Sequence, residues 1–129
     1  MSMPLIMNKI LKKIKNMQIE TITNENGTAI KYPDGWMICL LDTTVTDQAL
    51  NRQYSNTSLF FGTRTWTFPV QFIEKPIVNC GRFQWGTGAS WGNVTSVTSS
   101  TAGLTGMDFL SRAVGTSVEI SATAIGRWK

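Results

Sequence analysis

The feature that most constrains the fold of this chain is a strict two-residue alternation near its C-terminus. In the run Val-Glu-Ile-Ser-Ala-Thr-Ala at residues 118–124, apolar side chains occupy the even positions and polar ones the odd positions. This period is that of a β-strand with one buried and one solvated face. Shorter strand-like runs separated by Gly, Pro, Asn and Asp precede it, and only 16% of the residues are charged. We therefore predict an all-β fold, an antiparallel β-sandwich of about eight strands.

The N-terminal segment has a different period, and we predict a short helix there. Its apolar residues are spaced by four, three, four and three positions: Met3, Met7, Ile10, Ile14 and Met17. This is the a/d seam of a coiled-coil stem, and isoleucine at both core positions favours three chains, although methionine weakens that rule. A helix packed on its own domain is the alternative. We predict a helical stem and linker at residues 1–27 and a β-sandwich domain at residues 28–129.

A second indication of self-association lies in residues 36–41, Trp-Met-Ile-Cys-Leu-Leu, which follow a Pro-Asp-Gly turn. A strand that is apolar on both faces has to be covered on both faces. One cover is the second sheet, and we expect the other to be a neighbouring subunit. Trp36 and Trp66 are predicted to lie in the core, and the assembly is expected to be a homotrimer.

The composition argues against several classes of site. The chain has no histidine and two cysteines, Cys39 and Cys80, so neither a metal site nor a cofactor is expected. The cysteines are predicted to be buried thiols, with a disulfide only if their strands are neighbours. The net charge of +4 is concentrated in the stem lysines, which argues against nucleic acid. Neither a membrane span nor a signal peptide is predicted, so assembly in a cytoplasm is expected.

Several motifs together resemble the C-terminal tip domain of bacteriophage and prophage tail fibres. They are Tyr32-Pro33-Asp34-Gly35-Trp36 with Cys39, Trp66-Thr67-Phe68-Pro69-Val70-Gln71-Phe72 with Pro76, Trp91-Gly92, and the closing Ala124-Ile125-Gly126-Arg127-Trp128. The resemblance covers roughly residues 28–129. It implies a trimeric β-sandwich similar to H-type lectins, carried on a virion and bound to other tail-fibre or baseplate proteins. The implied function is attachment to a bacterial surface receptor.

A saccharide receptor requires a flat aromatic face flanked by hydrogen-bonding groups. The available set surrounds a glycine-rich loop and consists of Trp85, Trp91, Tyr54, Arg82, Gln84 and Asn93. Each also has a structural interpretation, since Trp91 can pack the loop and an arginine can pair across a sheet. We expect binding without catalysis, because the sequence has no nucleophile motif and its only neighbouring acids, Asp42 and Asp47, suit a soluble loop. A fibre cap or baseplate protein without a ligand, and a small glycan hydrolase, remain as alternatives.

Overall fold

The computed structural model describes residues 3–86 and 90–129, which form one helix and nine strands. The helix α1 is Met3–Asn16. The strands are β1 Glu20–Asn24, β2 Gly27–Lys31, β3 Trp36–Val45, β4 Arg52–Gln53, β5 Phe60–Thr67, β6 Ile77–Trp85, β7 Trp91–Val97, β8 Thr101–Asp108 and β9 Val118–Arg127. The predicted all-β fold with a short N-terminal helix is confirmed.

Two antiparallel sheets form the sandwich. The five-stranded sheet has the order β1-β2-β3-β9-β6, and the four-stranded sheet has the order β4-β5-β8-β7. The last strand, β9, is an interior strand, because it pairs with β3 on one side and β6 on the other. The C-terminal alternation therefore specifies a strand that joins two others in the larger sheet.

The core lies between the sheets, where the inward residues of each strand meet. In β9, Val118, Ile120, Ala122 and Ala124 are buried, as their alternation predicts. The smaller sheet contributes Leu104 from β8 together with other buried side chains. The main aromatic core residues are Trp66, Phe68, Phe72, Phe83 and Trp85. Burial of these large apolar surfaces is the main stabilising contribution to the fold.

The turn between β2 and β3 forms as the Pro-Asp-Gly sequence predicts. Gly35 has φ of 104°, a conformation that favours glycine. Its N–H donates to the carbonyl of Tyr32 at 3.1 Å, and the Asp34 carboxylate accepts the N–H of Trp36 at 3.2 Å. The C-terminus is fixed to the same turn, since the Trp128 indole donates to the Tyr32 carbonyl at 2.8 Å.

The structure corrects two expectations about the large sheet. The predicted linker contains β1, which forms a hairpin with β2 through a two-residue turn at Glu25 and Asn26, so the sheet begins at Glu20. Trp36 is exposed rather than buried, because Met37 and Cys39 occupy the inward positions of β3 and the even-numbered residues face outward. Trp66 is buried, as predicted.

The two cysteines are free thiols. Cys39 lies opposite Ala124 and Cys80 opposite Ala122, so β9 separates the two strands that carry them. Burial raises the pKa of the Cys39 thiol to about 11, against a smaller opposing effect of its contact with the Val70 carbonyl. The pKa of the Cys80 thiol is also raised by burial. Both thiols therefore stay protonated near neutral pH.

The helix α1 stands apart from the sandwich. Among the described residues, no strand packs against it. Met7, Ile10 and Ile14 of the predicted seam are exposed, as is Met17 just beyond the helix end. The side chain of Met3 lies outside the described part of the chain. No helix in that part is long and apolar enough to cross a membrane.

Candidate functional site

The structure separates the six predicted ligand residues into three groups. Trp85 lies in the core, Arg82 and Gln84 lie on the outer face of the five-stranded sheet, and Tyr54, Trp91 and Asn93 lie on the outer face of the four-stranded sheet. The centre of the predicted glycine-rich loop, residues 87–89, lies outside the described residues. Only the third group contains exposed aromatic rings, and its two rings lie at opposite edges of the sheet, Tyr54 beside β4 and Trp91 on β7.

Trp85 cannot present a ring to a saccharide, which corrects its predicted role. It is 2% exposed, and its ring centroid lies 5.5 Å from that of Phe83 in the core. The cause is a β-bulge in β6, where the pairing with β9 shifts register between Cys80 and Arg82. Val78 and Cys80 pack against the core before the bulge, whereas Phe83 and Trp85 do so after it. The bulge thus turns Trp85 inward.

Arg82 and Gln84 are exposed or half-buried on the opposite side of β6, where their polar groups have local partners. The Arg82 guanidinium lies 3.2 Å from the Glu119 carboxylate across the sheet. The Gln84 amide donates to the carbonyl of Gly86 at 3.2 Å. These two residues face away from the third group and form no site with it.

Five apolar residues form an aromatic row across the outer face of the four-stranded sheet. Phe61 on β5 lies opposite Met107 on β8, which lies opposite Trp91 on β7. Tyr54 stacks on Phe61 with ring centroids 4.4 Å apart, and Phe109 lies with its centroid 5.7 Å from Trp91. We use "aromatic row" for these five: Tyr54, Phe61, Met107, Trp91 and Phe109.

The outward direction of the row follows from strand alternation. Phe60 packs against the core, so the next residue, Phe61, faces the other side. On β8, Leu104 is buried in the core and Gly106 faces Phe83, which places Met107 outward. A side chain at Gly106 would overlap the Phe83 ring, so glycine lets the two sheets approach closely beneath the row.

The loop after β4 holds Tyr54 in place. The Tyr54 N–H donates to the Leu59 carbonyl at 3.1 Å, and the Thr57 hydroxyl donates to the Tyr54 carbonyl at 2.8 Å. The Gln53 amide donates to the Thr57 carbonyl at 2.6 Å. These bonds close the loop on itself and fix the backbone from which the Tyr54 ring reaches Phe61.

The aromatic row offers flat, accessible surface with polar neighbours. Trp91 is 39% exposed, Tyr54 40% and Phe109 60%. Beside the row, Asn93 and Thr63 lie opposite Thr105 on β8. The Thr105 hydroxyl is buried and has no hydrogen-bond partner among the described residues. Aromatic rings next to hydroxyl and amide groups are what a sugar ring requires of a binding surface.

A second apolar surface, the aliphatic row, crosses the outer face of the five-stranded sheet. Ile30, Ile38, Ile125 and Ile77 lie opposite one another on β2, β3, β9 and β6. Ile77 is 72% exposed. The row contains neither aromatic rings nor hydrogen-bonding side chains, so it suits contact with another apolar protein surface better than a saccharide.

A cavity of about 210 Å³ lies between the sheets, lined in part by Leu41, Arg64 and Trp66. This volume is below the roughly 300–1,000 Å³ of typical small-molecule sites. Arg64 within it is already paired with Asp47 at 3.0 Å. Asp42, expected in a loop with Asp47, lies on β3 instead. In the part of the chain that the structure describes, no three metal-ligating side chains come together.

Sequence reasoning missed Phe61, Met107 and Phe109. The sequence does not show which of Phe60 and Phe61 faces outward, and Met107 lies near the end of a strand that begins at Thr101. Gly103 and Gly106 make this strand hard to recognise in the sequence, because glycine interrupts the alternation of apolar and polar residues that is typical of a strand. The apolar run at residues 59–61 was the available signal, since two successive phenylalanines necessarily face opposite sides.

No family model and no curated protein matches the chain. Two solved structures do match. An N-truncated R1-type pyocin tail fibre aligns with a TM-score of 0.60 and 14% identity, over 92% of this chain and 94% of that chain. The chain has the fold of a pyocin tail-fibre domain. A C-terminal part of the P. aeruginosa R1 pyocin fibre aligns with a TM-score of 0.57 and 14% identity over 84% of this chain. The alignment covers 28% of the length of that fibre chain.

Proposed function

We propose that this protein is the tip domain of a phage or phage-like tail fibre and attaches the particle to a receptor on a bacterial surface. The observation that carries the proposal is the exposed aromatic row on a fold shared with pyocin tail fibres. Exposed, contiguous apolar surface on a folded domain usually marks a binding site. The protein would belong to the virion and be assembled in the host cytoplasm.

We propose a saccharide as the receptor, bound without catalysis. Tyr54 and Trp91 provide aromatic faces for the apolar side of a sugar ring, and Asn93 lies two positions along β7 from Trp91 to bond its hydroxyls. Binding alone suits a sheet whose four strands carry one acid, Asp108, which is buried and bonded to Arg112 at 3.0 Å. A hydrolase would need two carboxyl groups on either side of the scissile bond.

We propose that the working unit is a homotrimer assembled through the α1 seam and the aliphatic row. A 14-residue helix is marginal in water on its own, and α1 has no cover within the described chain. Three identical helices would bury the seam, and contact between copies would bury the aliphatic row. Three receptor sites per trimer and several fibres per particle would turn weak single sites into firm attachment.

The proposal is tested by cell binding of a Trp91→Ala variant. The expected result is a loss of binding to susceptible cells of at least tenfold, with the oligomeric mass and melting temperature close to those of the unsubstituted protein. Ile73→Ala is the control, because Ile73 is exposed in the segment between β5 and β6, away from the aromatic row. Unchanged binding by Trp91→Ala would contradict the proposed site.

The alternative of a fibre cap or baseplate protein without its own ligand predicts a different result. In that case the aromatic row would be covered by a partner protein, and the purified trimer would not bind cells. Binding by the isolated unsubstituted trimer would exclude it. A hydrolase would release new reducing ends from the bound glycan, and the proposal predicts none.

A further inference from the structure

The arginines of this chain differ in whether a partner holds them. Three form ion pairs with carboxylates: Arg64 with Asp47, Arg82 with Glu119 and Arg112 with Asp108. The fourth, Arg127, donates to the carbonyl of Asp34 at 2.8 Å and lies over the Trp36 ring. Arg52 is exposed and makes neither an ion pair nor a side-chain hydrogen bond with any described residue.

Arg52 belongs to the same surface as the aromatic row. On β4 it lies directly opposite Phe61 of β5, and two residues later Tyr54 stacks on that same ring. Directly opposed residues of an antiparallel pair project to the same face, with Cβ atoms roughly 4.5–5.5 Å apart. Arg52 therefore projects from the same face as Phe61, on the edge strand beside Tyr54.

Among the described residues, no carboxylate forms an ion pair with Arg52. The four strands of this sheet contain a single acidic residue, Asp108, which is 2% exposed. Asp108 is held by Arg112 through two contacts, 3.0 and 3.2 Å long. An aromatic surface with an unpaired guanidinium and without an exposed carboxylate has a positive local potential, which favours a negatively charged ligand.

We propose that the ligand of the aromatic row is an acidic saccharide, one that carries a carboxylate or a phosphate bound by Arg52. This inference rests on the proposed receptor-binding function and specifies its ligand class. The sugar ring lies against Tyr54 and Phe61, and the planar guanidinium forms paired hydrogen bonds with the anionic group. The charge supplies selectivity for acidic over neutral sugars, while the rings supply most of the contact area.

The test is an NMR titration of the full chain that follows the ring signals of Tyr54 and the guanidinium Nε–H signal of Arg52. The probes are sodium glucuronate, glucose 6-phosphate and the neutral methyl glucoside, and sodium acetate is the control for an anion without a ring. We expect at least one acidic sugar to bind about fivefold more tightly than methyl glucoside, the fold-change of a good exposed ion pair. High salt should reduce this preference.

Two variants isolate the charge. Arg52→Gln should abolish the preference for the acidic sugar while leaving the weak effect of methyl glucoside on Tyr54. Arg82→Gln removes an arginine from the other sheet and should change nothing. Arg52→Lys should restore part of the preference, because the charge returns without the planar fork.

Three results would overturn the inference. They are equal effects of acidic and neutral sugars, no effect of any sugar, and a preference for the acidic sugar that survives in Arg52→Gln. If acetate had an effect as strong as that of the acidic sugars, the site would bind simple anions, and the inference of an acidic saccharide ligand would be wrong. Failure here is distinguishable from failure of the proposed function. If Arg52→Gln binds cells normally and Trp91→Ala does not, attachment through the aromatic row stands and the acidic ligand class is wrong.

Discussion

Substituting Ile77 by serine should weaken the proposed trimer strongly. Full burial of an isoleucine side chain contributes about 1.5–3 kcal/mol. Because Ile77 is 72% exposed in the single chain, its burial in an interface would contribute about 1–2 kcal/mol per copy. Three copies would contribute about 3–6 kcal/mol to one trimer, which corresponds to roughly a 100- to 10,000-fold change in the monomer–trimer equilibrium constant.

Sedimentation equilibrium over a wide concentration range measures this constant directly. Val114→Ser is the matched control, since Val114 is 63% exposed in the segment between β8 and β9, at the opposite end of β9 from Ile125. Both variants should unfold at nearly the same urea concentration as the unsubstituted protein under monomeric conditions, because exposed substitutions change stability by only about 0.5 kcal/mol. An unchanged constant in Ile77→Ser, or a purely monomeric unsubstituted protein, would refute the role of the aliphatic row.

Three further outcomes are expected. Trp85→Ala should lower the free energy of unfolding by about 3–5 kcal/mol in urea titrations, since it empties a core position; a loss under 1 kcal/mol would contradict its burial. Gly106→Ala should cost about 1–3 kcal/mol by the same measurement, because its methyl group overlaps Phe83, and unchanged stability would argue against this packing. With its pKa raised to about 11, Cys39 should react with iodoacetamide at pH 8 only after unfolding; rapid native labelling identified by mass spectrometry would be inconsistent with that.

The elements that sequence predicted well carry strong local signals. The alternation of β9 alone gives its inward residues, Val118 to Ala124, because one register satisfies the core. The turn at residues 32–35 depends on a proline and a glycine whose backbone preferences are local. The hairpin of β1 and β2 was not predicted, although the Asn26-Gly27 pair beside its turn is a turn signal, since β1 has only Ile22 directed inward.

The candidate site was predicted only in part, because it depends on which face a strand presents. Trp85 and Trp91 look alike in the sequence, yet the bulge beside Gly81 buries one and the pairing with β8 exposes the other. A glycine inside a strand is the available signal of a bulge, but it does not tell how the partner strand is registered. Tyr54 and Phe61 come into contact only because β4 pairs with β5, so a local sequence pattern could not predict that their rings stack.

The most direct test of the account is hydroxyl-radical footprinting of the purified protein, free and bound to envelopes of a bacterium to which it attaches. Trp91, Tyr54 and Phe109 should be protected on binding, while Ile73 should remain as reactive as in the free protein. Protection of Ile73 with continued reactivity of the aromatic row would contradict the claim that this row is the receptor-binding surface.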